Sequence, residues 1–219
     1  MDDSNKQQIK VPPNKHHRQS IRLKDFDYRQ NGAYFVTICS HNKECLFGNV
    51  MNEEMRLNDA GRMVQAVWNE ISSHYPGIET DTFVVMPNHI HGIIVLAGVT
   101  PGVLTPGVLT PSVLIPDNST INDTTVQQQT LSLPDIVQRF KTMTIKQYSD
   151  GVKQFHWKPF CDRLWQRNYY EHIIRNHESL NTIREYIINN PIQWEFDREN
   201  PIPSANPTSK YLPTESWRV

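Results

Sequence analysis

Apolar and polar positions along the chain follow two different periods, and the changes of period delimit the predicted elements. Runs rich in β-branched and aromatic residues predict four strands, at residues 33–41, 80–86, 89–97 and 168–176. Apolar residues at helical spacing predict three helices: residues 58–74, a basic amphipathic helix that opens at Leu133, and a last helix that Asn176 caps and Pro191 ends.

The order of these elements is strand, helix, strand, strand, helix, strand, helix. The two middle strands are joined at Pro87-Asn88, a connection short enough for a hairpin. This order predicts an α+β fold, a ferredoxin-like split βαβ sandwich with an antiparallel sheet and an additional C-terminal helix. In such a fold the first two helices cover one face of the sheet, and the other face stays open to a ligand or a further element.

Three segments have a composition that sets them apart from the predicted core. Residues 1–24 are polar and basic, which predicts a flexible arm, and residues 196–219 read as an extended tail. Within the domain predicted for residues 25–195, the stretch 98–130 contains a nearly repeated GVLTP unit. Proline at every fifth position is incompatible with a central strand or a helix, so we expect this stretch to be a disordered surface insertion.

Charge is distributed unevenly, although the net charge of the 219 residues is only −1. Residues 4–24 contain basic side chains and no acid, and residues 134–175 carry a net positive charge, a pattern that suits a polyanionic partner. An ordinary solvated surface explains the charges equally well. No signal peptide, long apolar run, P-loop or CxxC spacing is present, so we expect a cytoplasmic protein without a membrane anchor or nucleotide cofactor.

Two histidines interrupt the apolar strand VVMPNHIHGIIVL. Because side chains two apart on a strand point the same way, His89 and His91 share a face and supply two ligands for one divalent ion. The HxH spacing alone is weak evidence for a metal site. The alternative is that the two histidines are hydrogen-bonded residues of a half-buried strand.

The last helix carries two residues that could act together with the histidines. Tyr186 and Asn190 are four residues apart and therefore lie on one helical face, where Asn190 offers an oxygen ligand beside the Tyr186 phenol. A core tyrosine packed among isoleucines is the alternative interpretation of Tyr186.

These residues resemble a known family. MPNHIHGIIVL is similar to the HUH motif of single-tyrosine transposases, and WQRNYYEHIIRN followed by IREYIINNP is similar to the REP-associated tyrosine transposase branch. The resemblance implies that Tyr186 attacks single-stranded or hairpin DNA and forms a 5′-phosphotyrosine link. It also implies that His89, His91 and Asn190 bind Mg²⁺ or Mn²⁺. The insertion-sequence branch is dimeric and the REP-associated branch can be monomeric, so we expect a monomer or a homodimer.

Basic and aromatic residues between the HUH strand and the last helix are the candidate DNA contacts. For phosphate binding these are Arg139, Lys141, Lys146, Lys153 and Arg167. For base stacking they are Trp157, Trp165, Tyr169 and Tyr170, although aromatic residues in irregular segments more often pack into a core.

Three alternatives remain open at this point. One is a non-cleaving DNA- or RNA-binding protein of the same fold, and another is an HUH nickase that starts replication or conjugal transfer. A zinc site at Cys39, His41 and Cys45 is the third, and it lacks an apparent fourth ligand. If Tyr186 is not the nucleophile, Tyr148 and Tyr170 are the next candidates.

Overall fold

The computed structural model describes residues 26–97 and 131–202. The predicted N-terminal arm, the 98–130 insertion and residues 203–219 of the predicted tail lie outside the described residues. In chain order the elements are β1 (Gly32–Cys39), a 3-10 helix (His41–Lys43), β2 (Gly48–Met51), β3 (Glu54–Leu57), α1 (Asp59–His74), β4 (Ile78–Val85), β5 (His89–Leu96), α2 (Leu133–Phe155), β6 (Tyr170–Ile174), α3 (His177–Asn189) and a second 3-10 helix (Trp194–Phe196).

The main sheet has the strand order β4-β5-β1-β6, and each neighbouring pair is antiparallel. With α1 and α2 as the two connecting helices, this is the split βαβ arrangement predicted from the element order, and the α+β fold class is confirmed. The predicted hairpin at Pro87-Asn88 is the β4–β5 pair. A small second sheet, β2 paired with β3, was not predicted, because strands of four residues with mixed polarity show no clear period.

Local side-chain chemistry explains where the helices begin. The side chain of Asn58 accepts a hydrogen bond from the Gly61 amide at the start of α1. Ser132 and Asp135 form a reciprocal capping box at the start of α2. The Asn176 side chain caps α3, as predicted, by accepting from the Ser179 amide. No helix in the described ranges is both long and apolar enough to cross a membrane.

Each face of the sheet has its own apolar cluster. On one face, Ile90 and Ile94 of β5 pack in the larger cluster with residues of α1 and α2 such as Trp68 and Phe140. The alternate positions of β1 and β5 contribute to a smaller cluster on the opposite face, which contains Phe35, Ile93, Ile174, Ile183 and Ile187. Helix α3 therefore packs on this second face, which the sequence analysis left to a ligand or a further element.

Helix α2 is longer than the sequence indicated. It continues to Phe155, into the segment 151–168 that we predicted to be irregular, so that boundary was wrong. Trp157, six residues further along the chain, packs on this part of the helix, because an added Cβ at Gly151 would lie 2.3 Å from Cε3 of its indole. His156 then ends the helix in the left-handed conformation.

Candidate active site

Strand β5 presents two imidazoles toward α3. His91 is opposite Thr37 in the sheet and His89 is opposite Cys39, so the histidines share a face, as predicted. Both side chains are fully buried, and their Nε2 atoms are 3.0 Å apart. The other ring nitrogens are also occupied: Nδ1 of His89 is 2.8 Å from Asn88 Oδ1, and Nδ1 of His91 is 2.9 Å from Thr37 Oγ1. Each ring is thus held from behind while its Nε2 atom faces its neighbour.

Tyr186 of α3 lies beside this pair. Its hydroxyl is 3.4 Å from Nε2 of His91, and the two rings meet edge-on with centroids 5.2 Å apart. A second edge contact, with Phe35 of β1, has a centroid distance of 6.0 Å. The tyrosine ring is therefore packed against the sheet, and its hydroxyl is directed at the histidine pair.

An ion pair attaches α3 to the sheet one half-turn before the tyrosine. Arg184 donates from Nε and Nη2 to the two carboxylate oxygens of Asp81, at 3.0 and 2.5 Å. Hydrogen bonding to this guanidinium lowers the pKa of Asp81 well below its ordinary value. Asp81 lies where the β4–β5 register shifts, between Thr80 and Phe83. This ion pair therefore holds α3, the helix that carries Tyr186, against β4.

A carboxylate that the sequence analysis did not select completes the cluster. Asp197, just after the second 3-10 helix, places Oδ2 3.6 Å from Nε2 of His89. Ligand atoms of His89, His91 and Asp197 all lie within 4.8 Å of one another. The acidic character of residues 195–199 was visible in the sequence, but it fell beyond the domain boundary predicted after residue 195. No spacing rule connects an aspartate to a histidine more than a hundred positions earlier.

The segment that carries Asp197 packs over the end of β5. The Trp194 ring lies 6.0 Å from the His89 ring, and the backbone carbonyl of Glu199 accepts from Asn88 Nδ2 at 2.7 Å. Lys43 forms an ion pair with the Glu199 carboxylate at 3.3 Å. These contacts connect residues 194–199 to the loop after β1 as well as to the histidine strand.

The cysteines do not form a metal site in the described residues, where Cys39, His41 and Cys45 are absent from the one candidate cluster. The Cys39 thiol donates to Glu199 Oε2 at 3.6 Å. Burial and this carboxylate raise the pKa of Cys39 to about 12.

The Nε2 atoms of His89 and His91 are 3.0 Å apart, which is a hydrogen-bond distance, and the Asp197 carboxylate lies beside them. One turn beyond Tyr186, Asn190 is buried, and its Oδ1 has no hydrogen-bond partner among the described residues. An amide oxygen left in this state is the kind of ligand that Mg²⁺ or Mn²⁺ accepts.

The predicted DNA contacts divide into exposed and internal residues. Arg139, Lys146 and Lys153 are exposed on α2, which packs on the sheet face opposite the histidines, and Arg167 is exposed in the loop before β6. The three α2 residues therefore lie on the other side of the sheet from the histidine pair. The Tyr75 ring lies 5.0 Å below the Arg139 guanidinium.

Three further predicted contacts are internal. Lys141 is buried, and its ammonium donates to the backbone carbonyls of Gln166, Arg167 and Asn168. Trp165 is buried against Phe47, with its Nε1 donating to Thr144 Oγ1. Tyr169 is also buried, with the Lys141 ammonium 5.6 Å from its ring centroid. For Lys141 this position corrects the surface role that the sequence pattern suggested. Trp165 and Tyr169 show the core packing that was the alternative to base stacking.

The chain is similar to proteins of known structure and to a protein of known sequence. No model of a known protein family matches the chain. A solved structure of a REP-associated tyrosine transposase bound to a REP hairpin is similar, with a TM-score of 0.48 and 16% identity over 80% of this chain and 73% of that one. A structure described as a candidate transposase of Deinococcus radiodurans has a TM-score of 0.38 and 17% identity over 77% of this chain and 97% of that one. At these values the two likenesses carry no argument about activity.

The sequence relationship is much closer. An uncharacterized protein of Haemophilus influenzae is 43% identical to this chain over 185 residues, which cover 84% of this chain and 93% of that protein. Identity at this level over most of both chains shows common membership, and the protein belongs to the same family as that Haemophilus influenzae protein.

Proposed function

We propose that the protein is a metal-dependent, single-tyrosine DNA transposase that cleaves and rejoins single-stranded or hairpin DNA. The observation that carries this proposal is the position of the Tyr186 hydroxyl, 3.4 Å from Nε2 of a histidine that is itself paired at 3.0 Å with a second one. A tyrosine used only for packing has no need of two inward-facing imidazoles beside its hydroxyl, and burying both imidazoles has a cost that function would explain.

In the proposed reaction, Oη of Tyr186 attacks the phosphorus of a phosphodiester. The new bond joins phosphorus to the tyrosine oxygen, and the bond from phosphorus to the 3′ oxygen breaks. The phenolic proton is given up, and the departing 3′ oxygen takes up a proton to become a free 3′-hydroxyl. The product is a 5′-phosphotyrosine ester. Because the phosphotyrosine ester conserves the energy of the broken phosphodiester bond, a second 3′-hydroxyl reverses the step and joins strands without a nucleotide cofactor.

His89, His91 and Asp197 would hold a divalent cation, with Asn190 as a further oxygen ligand. This set combines two imidazoles with oxygen donors, which suits Mg²⁺ or Mn²⁺. When bound, the ion would polarise the phosphate and stabilise charge on the departing 3′ oxygen. The remaining work belongs to the chain itself: Phe35 and His91 orient the phenol through edge contacts, and the Asp81–Arg184 ion pair holds its helix on the sheet.

The exposed cations of α2 are the proposed contacts for the rest of the substrate. Since α2 lies behind the sheet, Arg139, Lys146 and Lys153 would bind duplex or flanking phosphates rather than the phosphate that reacts. Phosphate contacts of this kind position a nucleic acid and make binding dependent on salt.

The decisive experiment is adduct formation on short DNA hairpins taken from the sequence that flanks the gene. Wild type with Mn²⁺ is expected to give a slowly migrating protein–DNA species on a denaturing gel, absent with EDTA and absent in Tyr186→Phe. Tyr148→Phe is the matched control, because it removes a phenol whose hydroxyl donates to the Lys158 carbonyl, away from the histidines.

Two results would contradict the proposal. An adduct that persists in Tyr186→Phe moves the nucleophile elsewhere, and Tyr170, whose ring lies 6.3 Å from Phe35 on the same sheet face, is then the first candidate. Hairpin binding without an adduct under either metal identifies a non-cleaving DNA-binding protein instead.

A further inference from the structure

Asn88 occupies the turn between β4 and β5, immediately before the first histidine, and its side chain is fully buried. The Nδ2 group donates to two backbone carbonyls, those of Lys43 at 3.1 Å and Glu199 at 2.7 Å. A carbonyl oxygen accepts hydrogen bonds and never donates them. These two partners therefore determine which end of the amide is nitrogen, and Oδ1 must be the atom that faces His89.

The orientation of the amide decides the tautomer of His89. Oδ1 of Asn88 can only accept, and it is 2.8 Å from Nδ1 of His89, so Nδ1 carries the proton. In the neutral imidazole the lone pair then lies on Nε2, the atom directed at His91 and Asp197. We propose that Asn88 is a positioning residue that fixes His89 in the tautomer whose Nε2 can bind the divalent ion. This inference rests on the proposed function.

His91 is held differently. Its Nδ1 is 2.9 Å from the Thr37 hydroxyl, which can either donate or accept a hydrogen bond. When no ion is bound and both rings are neutral, Nε2 of His91 donates to the lone pair on His89, 3.0 Å away, and its Nδ1 accepts from Thr37. For Nε2 of His91 to become a ligand, its proton must be on Nδ1 instead, and Thr37 then accepts. The Asn88 amide therefore allows His89 only one neutral tautomer, whereas the Thr37 hydroxyl allows His91 either one.

The turn that carries Asn88 is anchored by its backbone as well. The Asn88 carbonyl accepts from the Ser40 amide at 2.7 Å, and the Pro87 carbonyl accepts from the amides of Leu46 and Phe47. The side-chain amide is therefore presented from a fixed support. Partners that orient a metal-binding histidine in this way are typically worth about 10- to 100-fold in metal affinity.

Long-range proton–nitrogen NMR correlations of the metal-free wild-type protein test the tautomer directly. The expected spectrum has His89 with a protonated Nδ1 and an unprotonated Nε2. A spectrum with the proton on Nε2, or with the two forms mixed, would overturn the proposal. Because this measurement uses the unmutated chain, it does not depend on whether a variant folds.

A titration with Mn²⁺ tests whether Asn88 affects metal affinity. Binding is measured as the loss of the electron paramagnetic resonance signal of the free ion. Asn88→Ala is expected to weaken binding by about 10- to 100-fold. Asn88→Asp keeps an acceptor for His89 while losing both amide donations, and we expect it to retain most of the affinity. Lys43→Ala is the comparison variant for disturbed loop contacts, because it removes the ion pair to Glu199 and the donation to the Arg198 carbonyl but leaves the Asn88–His89 bond. We expect it to lose less affinity than Asn88→Ala.

The outcomes separate this inference from the proposed function. Equal losses in Asn88→Ala and Asn88→Asp would show that bracing of the loops matters rather than the tautomer, and would refute the positioning role. A wild-type protein that binds no Mn²⁺ removes both the metal site and the role of Asn88. A protein that binds Mn²⁺ as predicted but forms no Tyr186 adduct leaves the inference intact and overturns only the transposase reaction.

Discussion

Gly92 lies between His91 and Ile93 on strand β5, and adding one methyl group there tests how closely β5 packs against Trp68. An added Cβ there would lie 2.4 Å from Cζ2 and 2.6 Å from Cη2 of Trp68. Ordinary carbon contacts are about 3.5–4.0 Å, so the indole or the strand must move by about 1 Å. Trp68 has little room to move, since it is buried, stacked on Phe83 at 4.4 Å and in edge contact with Phe140 at 5.6 Å.

We therefore expect Gly92→Ala to destabilise the protein by about 3 kcal/mol, the upper end of the usual range for an overpacked core. Trp68→Phe removes the two clashing carbons and leaves a cavity, which should cost about 2 kcal/mol alone. In the double variant the methyl group fills part of that cavity. The double variant should therefore lose less unfolding free energy than the sum of the two single variants, by about 1–3 kcal/mol.

Urea unfolding of the four proteins measures these free energies, with the slope of each transition checked for a common two-state behaviour. Mn²⁺ affinity gives a second readout, because a displaced β5 also displaces His91. We expect Gly92→Ala to bind the ion more weakly and the double variant to recover part of the loss. Additive losses in the unfolding free energy would refute the packing argument, and an unchanged Gly92→Ala midpoint would show that the indole and strand are not in this close contact.

Two charged residues give further predictions. Arg184 lowers the pKa of Asp81 below its ordinary value of 3.8, so the stability from this pair is present above that value and is lost as the pH falls through the folded pKa. Urea midpoints measured between about pH 5 and pH 2 should therefore fall less in Asp81→Asn than in wild type, and parallel curves would contradict this. Lys141→Met should lower stability by about 2–3 kcal/mol, since three carbonyls lose a charged donor. Its DNA binding should keep the wild-type salt dependence, and a shallower dependence would restore Lys141 as a phosphate contact.

The fold was largely predictable because its signals are local. Strand periodicity, the caps of the helices and the short connection at Pro87-Asn88 each depend on neighbours within a few residues. The elements that escaped prediction lack such a signal. Trp157 packs on α2 at Gly151, a contact that the apolar periodicity does not reveal, and β2 and β3 are too short to show a period.

The site was predictable only where two of its members share one element. The spacing of His89 and His91 determines their common face on β5, and the four-residue spacing of Tyr186 and Asn190 predicts the same for α3 and its C-cap residue. Asp197 joins the cluster through the path of the chain after α3, which no short-range pattern encodes. Lys141 was misread for the related reason that a basic residue on an amphipathic helix resembles a surface cation until its carbonyl partners are known.

The fold holds some residues of the site more rigidly than others, and the difference matches the role proposed for each residue. The two histidines lie on β5, which is hydrogen-bonded on both sides by β4 and β1 and backed by the larger core. Tyr186 lies on a helix with only two fully buried side chains, Ile183 and Ile187. Asp197 lies on a segment outside any helix or strand. Local opening costs least where few apolar contacts are buried, so the imidazoles are held most rigidly and the phenol and carboxylate least. This ordering suits a site in which the metal ligands of β5 stay fixed while the nucleophile first approaches, and later carries, a strand of DNA.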